Sequence, residues 1–400
     1  MNMFDNQREQ QVITLCQKLL RKQSYSGEES GVADLLKQHF AAAGFDDCKV
    51  DRYGNVIGVI KGNRPGRSVL LDGHIDTVPV PDPKAWQHDP FGGELVDGRI
   101  YGRGASDMKG AMAAMVCAAG FFAEDTGRNF AGTVYVAGVV HEECFEGVAA
   151  REISERIKPD YVIIGEASEL NLKIGQRGRA EIVVETFGRP AHSANPHKGI
   201  NAVYHMARLI ERLRALPTSS HPVLGPGILE LTDIKSTPYP GASVVPSYCR
   251  ATYDRRLLVD ETPDEVLAPL REAIESLTKE VPDFKASVSY SAGSERCYTG
   301  EMISEQRFFP GWLFAEEAPC VQLALAGLHS VGLQPEITHY SFCTNGSHYA
   351  GEAGIATLGF GPSPENLAHT IDEHIAVEQL LGAARGYYGI IRTLLAGEAQ

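Results

Sequence analysis

The sequence predicts an α/β domain interrupted by a smaller inserted α+β domain, and three observations lead there. At 400 residues the chain exceeds what one hydrophobic core usually organises, so two domains are expected. Short β-rich runs alternate with helical runs over residues 7–164, and the same texture returns from about residue 294. Between them, residues 180–291 read as strand, helix, strand, strand, helix, strand, which is the split-βαβ, ferredoxin-like order. The expected boundaries are 1–178 and 293–400 for the larger domain and 179–292 for the insertion.

Val12, Leu15, Cys16 and Leu19 recur at helical spacing and predict an amphipathic helix over 7–21, and residues 31–43 repeat the pattern. Strands are expected at 56–60, 68–71, 132–140 and 161–164, with helices at 109–124 and 148–156, as in a sheet covered on both faces. The apolar run 111–123 is too short to span a bilayer and reads as a buried helix. Past Gly175-Gln176-Arg177-Gly178 come a strand at 180–187, a helix at 199–216, strands at 228–234 and 247–255, a helix at 263–279 and a strand at 284–291. A helix at 321–331, strands near 336–337 and 357–360, and an amphipathic helix at 376–394 complete the chain. There is no internal repeat.

Composition excludes several functions. The net charge of −14, from 37 Lys and Arg against 51 Asp and Glu, argues against nucleic acid or an anionic membrane as partner. The eight cysteines are scattered without a C-x-x-C pair, which fits reduced thiols in a cytosol. Met1–Gln11 lacks the apolar core of a signal peptide, so a cytoplasmic protein is expected.

The candidate chemistry lies where the predicted strands end, the usual place for sites in open α/β sheets. His74 and Asp76, in Gly73-His74-Ile75-Asp76-Thr77-Val78-Pro79, follow the strand at 68–71. A ligating imidazole normally gives its other N–H to a carboxylate or carbonyl, a part Asp76 could play, although a capping aspartate in a turn leaves the same H-x-D. Asp107 sits in a glycine-rich loop that opens onto the apolar helix, where a carboxylate can bridge two cations or simply cap the helix. A dinucleotide loop would carry glycine at that position. Glu142 and Glu143 end the strand at 132–140, and they fit a division between a metal ligand and a general base. His141-Glu142 does not open an H-E-x-x-H motif, because position 145 is Phe. Glu166 ends the strand at 161–164, and His369 lies in Ala368-His369-Thr370-Ile371-Asp372-Glu373. Two histidines and several carboxylates are the parts needed for two divalent metals sharing an activated water, a site suited to hydrolysis.

In this order, G-H-x-D-x-V-P, G-R-G-x-x-D-M-K-G, E-E and A-H-x-x-x-E resemble the M20 family of metallopeptidases. That family includes acetylornithine deacetylases, succinyl-diaminopimelate desuccinylases and carboxypeptidase G2-like enzymes. Gly175-Gln176-Arg177-Gly178-Arg179 and Thr344-Asn345-Gly346 look most like its YgeY-like, selenium-metabolism-linked hydrolase branch. The resemblance implies a zinc-peptidase-like α/β catalytic domain and an inserted ferredoxin-like dimerisation (lid) domain. It implies that His74 and Glu166 hold one metal, Glu143 and His369 the other, and that Asp107 bridges them. Asp76 would orient His74, Glu142 would be the general base, and a cis peptide would follow Asp107. His192 would reach the partner's active site in a homodimer to hold the oxyanion, and Arg256 and Asn345 would contact substrate. Where the family often has Asn-x-x-Pro in the insertion, this chain has Ser243-Val244-Val245-Pro246, which lacks the amide donors.

Nitrogen and carboxylate donors suit zinc, with cobalt or manganese able to use the same set. The expected function is therefore hydrolysis of a small-molecule amide such as an N-acyl amino acid or short peptide. The alternative is a catalytically silent, metal-containing ligand-binding protein of the same fold. A serine or cysteine hydrolase is disfavoured because no G-x-S-x-G elbow or cysteine nucleophile motif is present.

Overall fold

The strand Arg64–His74 organises the larger unit of the computed structural model, which describes residues 4–396. Residues 1–3 of the expected polar N-terminus and residues 397–400 lie outside the described residues. The larger unit comprises the described residues up to Gln176, Ser294–Ser304, and those from Leu313 onward. Arg177–Gly293 and Glu305–Trp312 form the smaller unit.

In the larger unit the sheet runs in the order Asp47–Val50, Val56–Lys61, Ala131–Val139, Arg64–His74, Tyr161–Ile164, Ala356–Gly359, Leu172–Gln176. Arg64–His74 pairs in parallel with Ala131–Val139 on one side and Tyr161–Ile164 on the other. The connection from Arg64–His74 leads to Ala131–Val139 on one side, while the chain after Tyr161–Ile164 passes to Leu172–Gln176 on the other, which opens a crevice at the carboxyl ends of these strands. That crevice is where His74, Glu142, Glu143 and Glu166 emerge. Arg64–His74 extends further than the expected 68–71. Its first four residues, Arg64-Pro65-Gly66-Arg67, are exposed and carry no apolar signal.

The helix Gly110–Thr126 is apolar on nearly every side and correspondingly buried, as a helix enclosed by protein must be. It packs against Val377–Ala396 and against the sheet, and Gly127, in a left-handed conformation at φ 53, ends it. At the N-terminus of Asn6–Leu20, Asp5 caps by accepting from the Arg8 amide, and Val12, Leu15, Cys16 and Leu19 form its buried stripe. Among the described residues no helix is long and apolar enough to cross a membrane. None of the eight cysteines is in a disulfide.

A three-stranded sheet escaped the periodicity reading. Glu94–Val96, Arg99–Tyr101 and His374–Ala376 are each three residues long, too short to display an alternation. It matters for function, because it ties the segment carrying His369 to the loop carrying Asp107.

In the smaller unit the sheet order is Ile228–Thr237, Tyr248–Leu257, Gly178–Phe187, Ala286–Tyr290. Helices Ala202–Arg214 and Pro263–Glu280 pack on it around a core that includes Ile182, Val184, Met206, Leu209, Ala251 and Leu270. Thr262 and Glu265 form a reciprocal capping box at the start of the second helix. The two-residue strand Phe308–Phe309 also pairs with Gly178–Phe187, opposite Ala180 and Arg179, so a late segment returns to this unit.

Candidate metal centre

His74 is the last residue of its strand and is 1% exposed. Its Nδ1 lies 2.8 Å from the backbone carbonyl oxygen of Asp76 and 3.6 Å from the Asp76 carboxylate. A carbonyl only accepts, so Nδ1 carries a proton, and His74 in its neutral form would present the Nε2 lone pair to the crevice. The contact expected of the Asp76 carboxylate is thus made by the Asp76 main chain. The Asp76 carboxylate is committed elsewhere, accepting from Glu142 N at 3.1 Å, Glu143 N at 3.3 Å and the Ser26 hydroxyl at 2.7 Å. One residue therefore sets the tautomer of His74 and the position of the glutamate pair.

Asp107 lies between the two histidines. Its Oδ1 is 2.7 Å from His74 Nε2 and its Oδ2 is 3.0 Å from His369 Nε2. Glu166 Oε1 is 3.5 Å from His74 Nε2, and Glu143 Oε2 is 3.1 Å from His369 Nε2. The peptide Asp107–Met108 is cis, and His369 occupies the left-handed region at φ 62. Side chains other than glycine rarely adopt such a backbone, and where they do the surroundings hold them there. Gly361 admits the neighbouring segments to one another, since a Cβ there would come within 2.3 Å of the carbonyl oxygens of Gly165 and Glu166.

The electrostatics follow from crowding carboxylates in a dry crevice. Burial pushes Glu142 and Glu166 well above the usual carboxylate range; His74 opposes this, and neighbouring carboxylates add to it. Burial, then the charge of Asp107, also raises Glu143. Burial opposes the charge on His74, but Glu166 and Asp107 outweigh it and hold the imidazole well above its ordinary value. Hydrogen bonds to Asp107 and Glu143 push His369 up to about 10. Asp107 is raised by burial yet held well below the carboxylate range by His369 and His74.

The donor set fits divalent metal. Two groups among the described residues could hold an ion, His74, Glu142 and Glu166, and His74, Asp107 and Glu143, with ligand atoms within 4.8 Å of one another. Donors about 2.0–2.1 Å from a tetrahedral zinc lie about 3.3 Å apart, close to the separations above. A ligating imidazole must be neutral, so a cation replaces a proton that this negative cluster otherwise retains. Glu142 is 6% exposed and its Oε1 has no hydrogen-bond partner, leaving one buried oxygen for a further ligand or a water.

The remaining expected residues fall elsewhere. Asn345 is 2% exposed, its Oδ1 accepts from Gly147 N at 2.9 Å and its Nδ2 donates to Asp72 Oδ1 at 3.0 Å. In this structure the amide expected to contact substrate is engaged by Gly147 and Asp72. In the smaller unit, His192 is exposed, with Nδ1 accepting from Ala194 N at 3.0 Å, and its backbone bridges to Val244. Ser243 stands beside it through its main chain, its carbonyl accepting from Ser193 N at 2.9 Å. Arg256 is held by Asp254, Nε to Oδ1 at 2.8 Å. Sequence reasoning missed the supporting layer. Asp72 receives Asn345 and Tyr349, and Glu373 binds the Asp107 loop. The closing glutamate of A-H-x-x-x-E was the available signal for Glu373.

A sequence model described as peptidase family M20/M25/M40 matches residues 70–393. The uncharacterised protein YgeY of Escherichia coli (strain K12) is 33% identical over 380 residues, covering 94% of this chain and 92% of that protein. A succinyl-diaminopimelate desuccinylase of Cereibacter sphaeroides (strain ATCC 17023) is 30% identical over 400 residues, covering 96% and 99%. Among solved structures, the YxeP protein of Bacillus subtilis, a dinuclear metal-binding peptidase of the M20 family, superposes with a TM-score of 0.74 at 14% identity, covering 98% of this chain and 99% of that one.

Proposed function

The chain belongs to peptidase family M20/M25/M40 and is a metal-dependent hydrolase; from that premise we propose that it cleaves an amide bond in a small molecule, using two divalent metal ions. The observation that carries this is the placement of Asp107, one oxygen facing each histidine, at 2.7 and 3.0 Å. His74 and Glu166 would hold one ion, His369 and Glu143 the other, with Asp107 spanning both. Zinc suits these donors best, and cobalt or manganese could replace it. When bound, such ions supply Lewis acidity, lowering the pKa of water toward about 7 and stabilising charge on a carbonyl oxygen.

The chain's own groups do the rest. Glu142, its carboxylate raised by burial and aimed into the crevice, takes a proton from the attacking water and returns it to the departing nitrogen. Asp76 keeps that base in register through the Glu142 amide and fixes the donor nitrogen of His74 through its own carbonyl. The N-acyl amino acid class is favoured because the desuccinylase relative is named for such a substrate. Arg256, anchored by Asp254, would pair with the substrate's carboxylate.

The smaller unit would join two copies into a homodimer. In support, its strand Ile228–Thr237 lies at the edge of its sheet and exposes Ile228 and Ile234. His192 would then help hold the oxyanion in the partner's site. A cytoplasmic setting is proposed with this activity, in keeping with eight cysteines of which none is in a disulfide.

The test is hydrolysis of a panel of N-acyl amino acids and dipeptides by chelator-treated protein and by zinc-, cobalt- or manganese-loaded protein. Metal-restored cleavage of one class is expected. Two bound metals with no turnover of any amide would refute the proposal. Sedimentation should show a dimer, and His192→Ala should lower kcat more than it raises KM.

A further inference from the structure

We infer that Glu373, clamped by Arg103, is a positioning residue that sets the affinity of the metal position at Asp107 and His369; this rests on the two-metal reading above. Glu373 is fully buried and Arg103 is 3% exposed. Its Oε1 accepts from two consecutive amides, Ser106 N at 2.9 Å and Asp107 N at 3.1 Å. Its Oε2 takes Arg103 Nη1 at 2.5 Å, and its main-chain carbonyl accepts from Gly102 N at 2.9 Å. One residue therefore receives four donors from the loop at 102–107.

The short spacing of Glu373 from His369, with three residues between them, gives this arrangement its consequence. Asp107 and His369 come from segments far apart in sequence, yet their facing atoms lie 3.0 Å apart. Two devices hold those segments in register. One is the antiparallel pairing of His374–Ala376 with Arg99–Tyr101, with His374 opposite Tyr101 and Ala376 opposite Arg99. The other is the Glu373 carboxylate, which fixes the amide of the bridging aspartate itself. Arg103 is in turn packed over the Trp86 ring, 5.3 Å from its centroid, so the counter-charge is not free to swing away. Glu373 touches neither expected metal position directly. It acts through the backbone of Asp107, as partners behind a ligand do, and losing such a partner typically costs about 10–100-fold in metal affinity.

The experiment titrates apo full-length protein with Co²⁺, following visible absorption and the metal retained per chain, for wild type, Glu373→Ala and Glu373→Gln. Thermal melting of each apo protein is recorded alongside. Wild type should take up two equivalents. Glu373→Ala should hold one of them about 10–100-fold more weakly than wild type does, with the other less affected. Glu373→Gln should recover most of that loss, because its amide oxygen can still accept from Ser106 and Asp107. If Glu373→Ala does not fold, Glu373→Asp, which withdraws the carboxylate by one methylene, replaces it with the same expected inequality. Wild-type affinity for both equivalents in the Ala or Asp variant would overturn the inference. So would equal weakening of both equivalents in step with the apo melting temperature, which marks a purely structural role. A wild-type chain that takes up fewer than two equivalents would instead refute the two-metal reading itself.

Discussion

Replacing Glu142 by glutamine isolates the proton-transfer role better than any other change at the site. The side chain is 6% exposed, its Oε1 is unpartnered, and its amide is anchored on Asp76 at 3.1 Å. Glutamine preserves the volume and the amide anchor and removes the charge together with the ability to take a proton. A positioned general base contributes about 10²–10⁴-fold in rate. At 1.36 kcal/mol per tenfold, that is a loss of about 3–5.5 kcal/mol of transition-state stabilisation, expected in kcat with KM little changed. The competing effect is weaker cation binding, since one carboxylate leaves the cluster. Saturating metal removes that term, so metal content and steady-state kinetics are measured on the same loaded sample. The pH profile gives an independent reading. Burial raises Glu142, so the base is protonated and idle at low pH, and wild-type activity climbs as pH rises through its folded value. The variant should lose that limb. A Glu142→Gln protein with two metals bound, kcat within about threefold of wild type and an unchanged acid limb would refute the assignment.

Asp76→Ala removes the acceptor for Glu142 N, Glu143 N and Ser26 while leaving the backbone carbonyl that orients His74, so kcat should fall about 10–100-fold with His74 still ligating. Spectroscopic loss of the His74 ligand with kcat intact would contradict that division. Dialysis against a chelator should abolish activity, zinc, cobalt or manganese should restore it, and reagents for serine or thiol nucleophiles should leave loaded enzyme unaffected. Buried Asp72 is raised by burial from 3.8 to about 6 despite its hydrogen bonds from Asn345 and Tyr349. The folded state therefore binds that proton more tightly than the unfolded chain. Its contribution, about 3 kcal/mol, is present below about pH 4 and lost as pH rises to about 6. In metal-free protein the melting temperature of Asp72→Asn relative to wild type should rise across that window, and a pH-independent difference would count against it.

How much of this could be read from the sequence depends on whether the signal is local. The helix Gly110–Thr126 announces itself because it is apolar on every side, and the strand ends announce the site because acidic residues and a histidine interrupt buried runs at 74, 142–143 and 166. The split-βαβ order of the smaller unit is likewise written in alternating periods, whereas Phe308–Phe309 is too short to have a period at all. What resisted reading is the choice of partner by each polar group. H-x-D suggests a carboxylate behind an imidazole, yet the backbone turns so that the Asp76 carbonyl takes that place and its carboxylate turns to Glu142 and Glu143. Asn345 reads as an available amide in a loop and is spent on Gly147 and Asp72. Glu373 meets Asp107 across 266 positions of chain, a separation over which no periodicity operates. The candidate ligands are legible because chemistry restricts their residue types. The groups that aim them are not, because any buried carboxylate can receive any amide the fold brings to it, and only the tertiary structure says which.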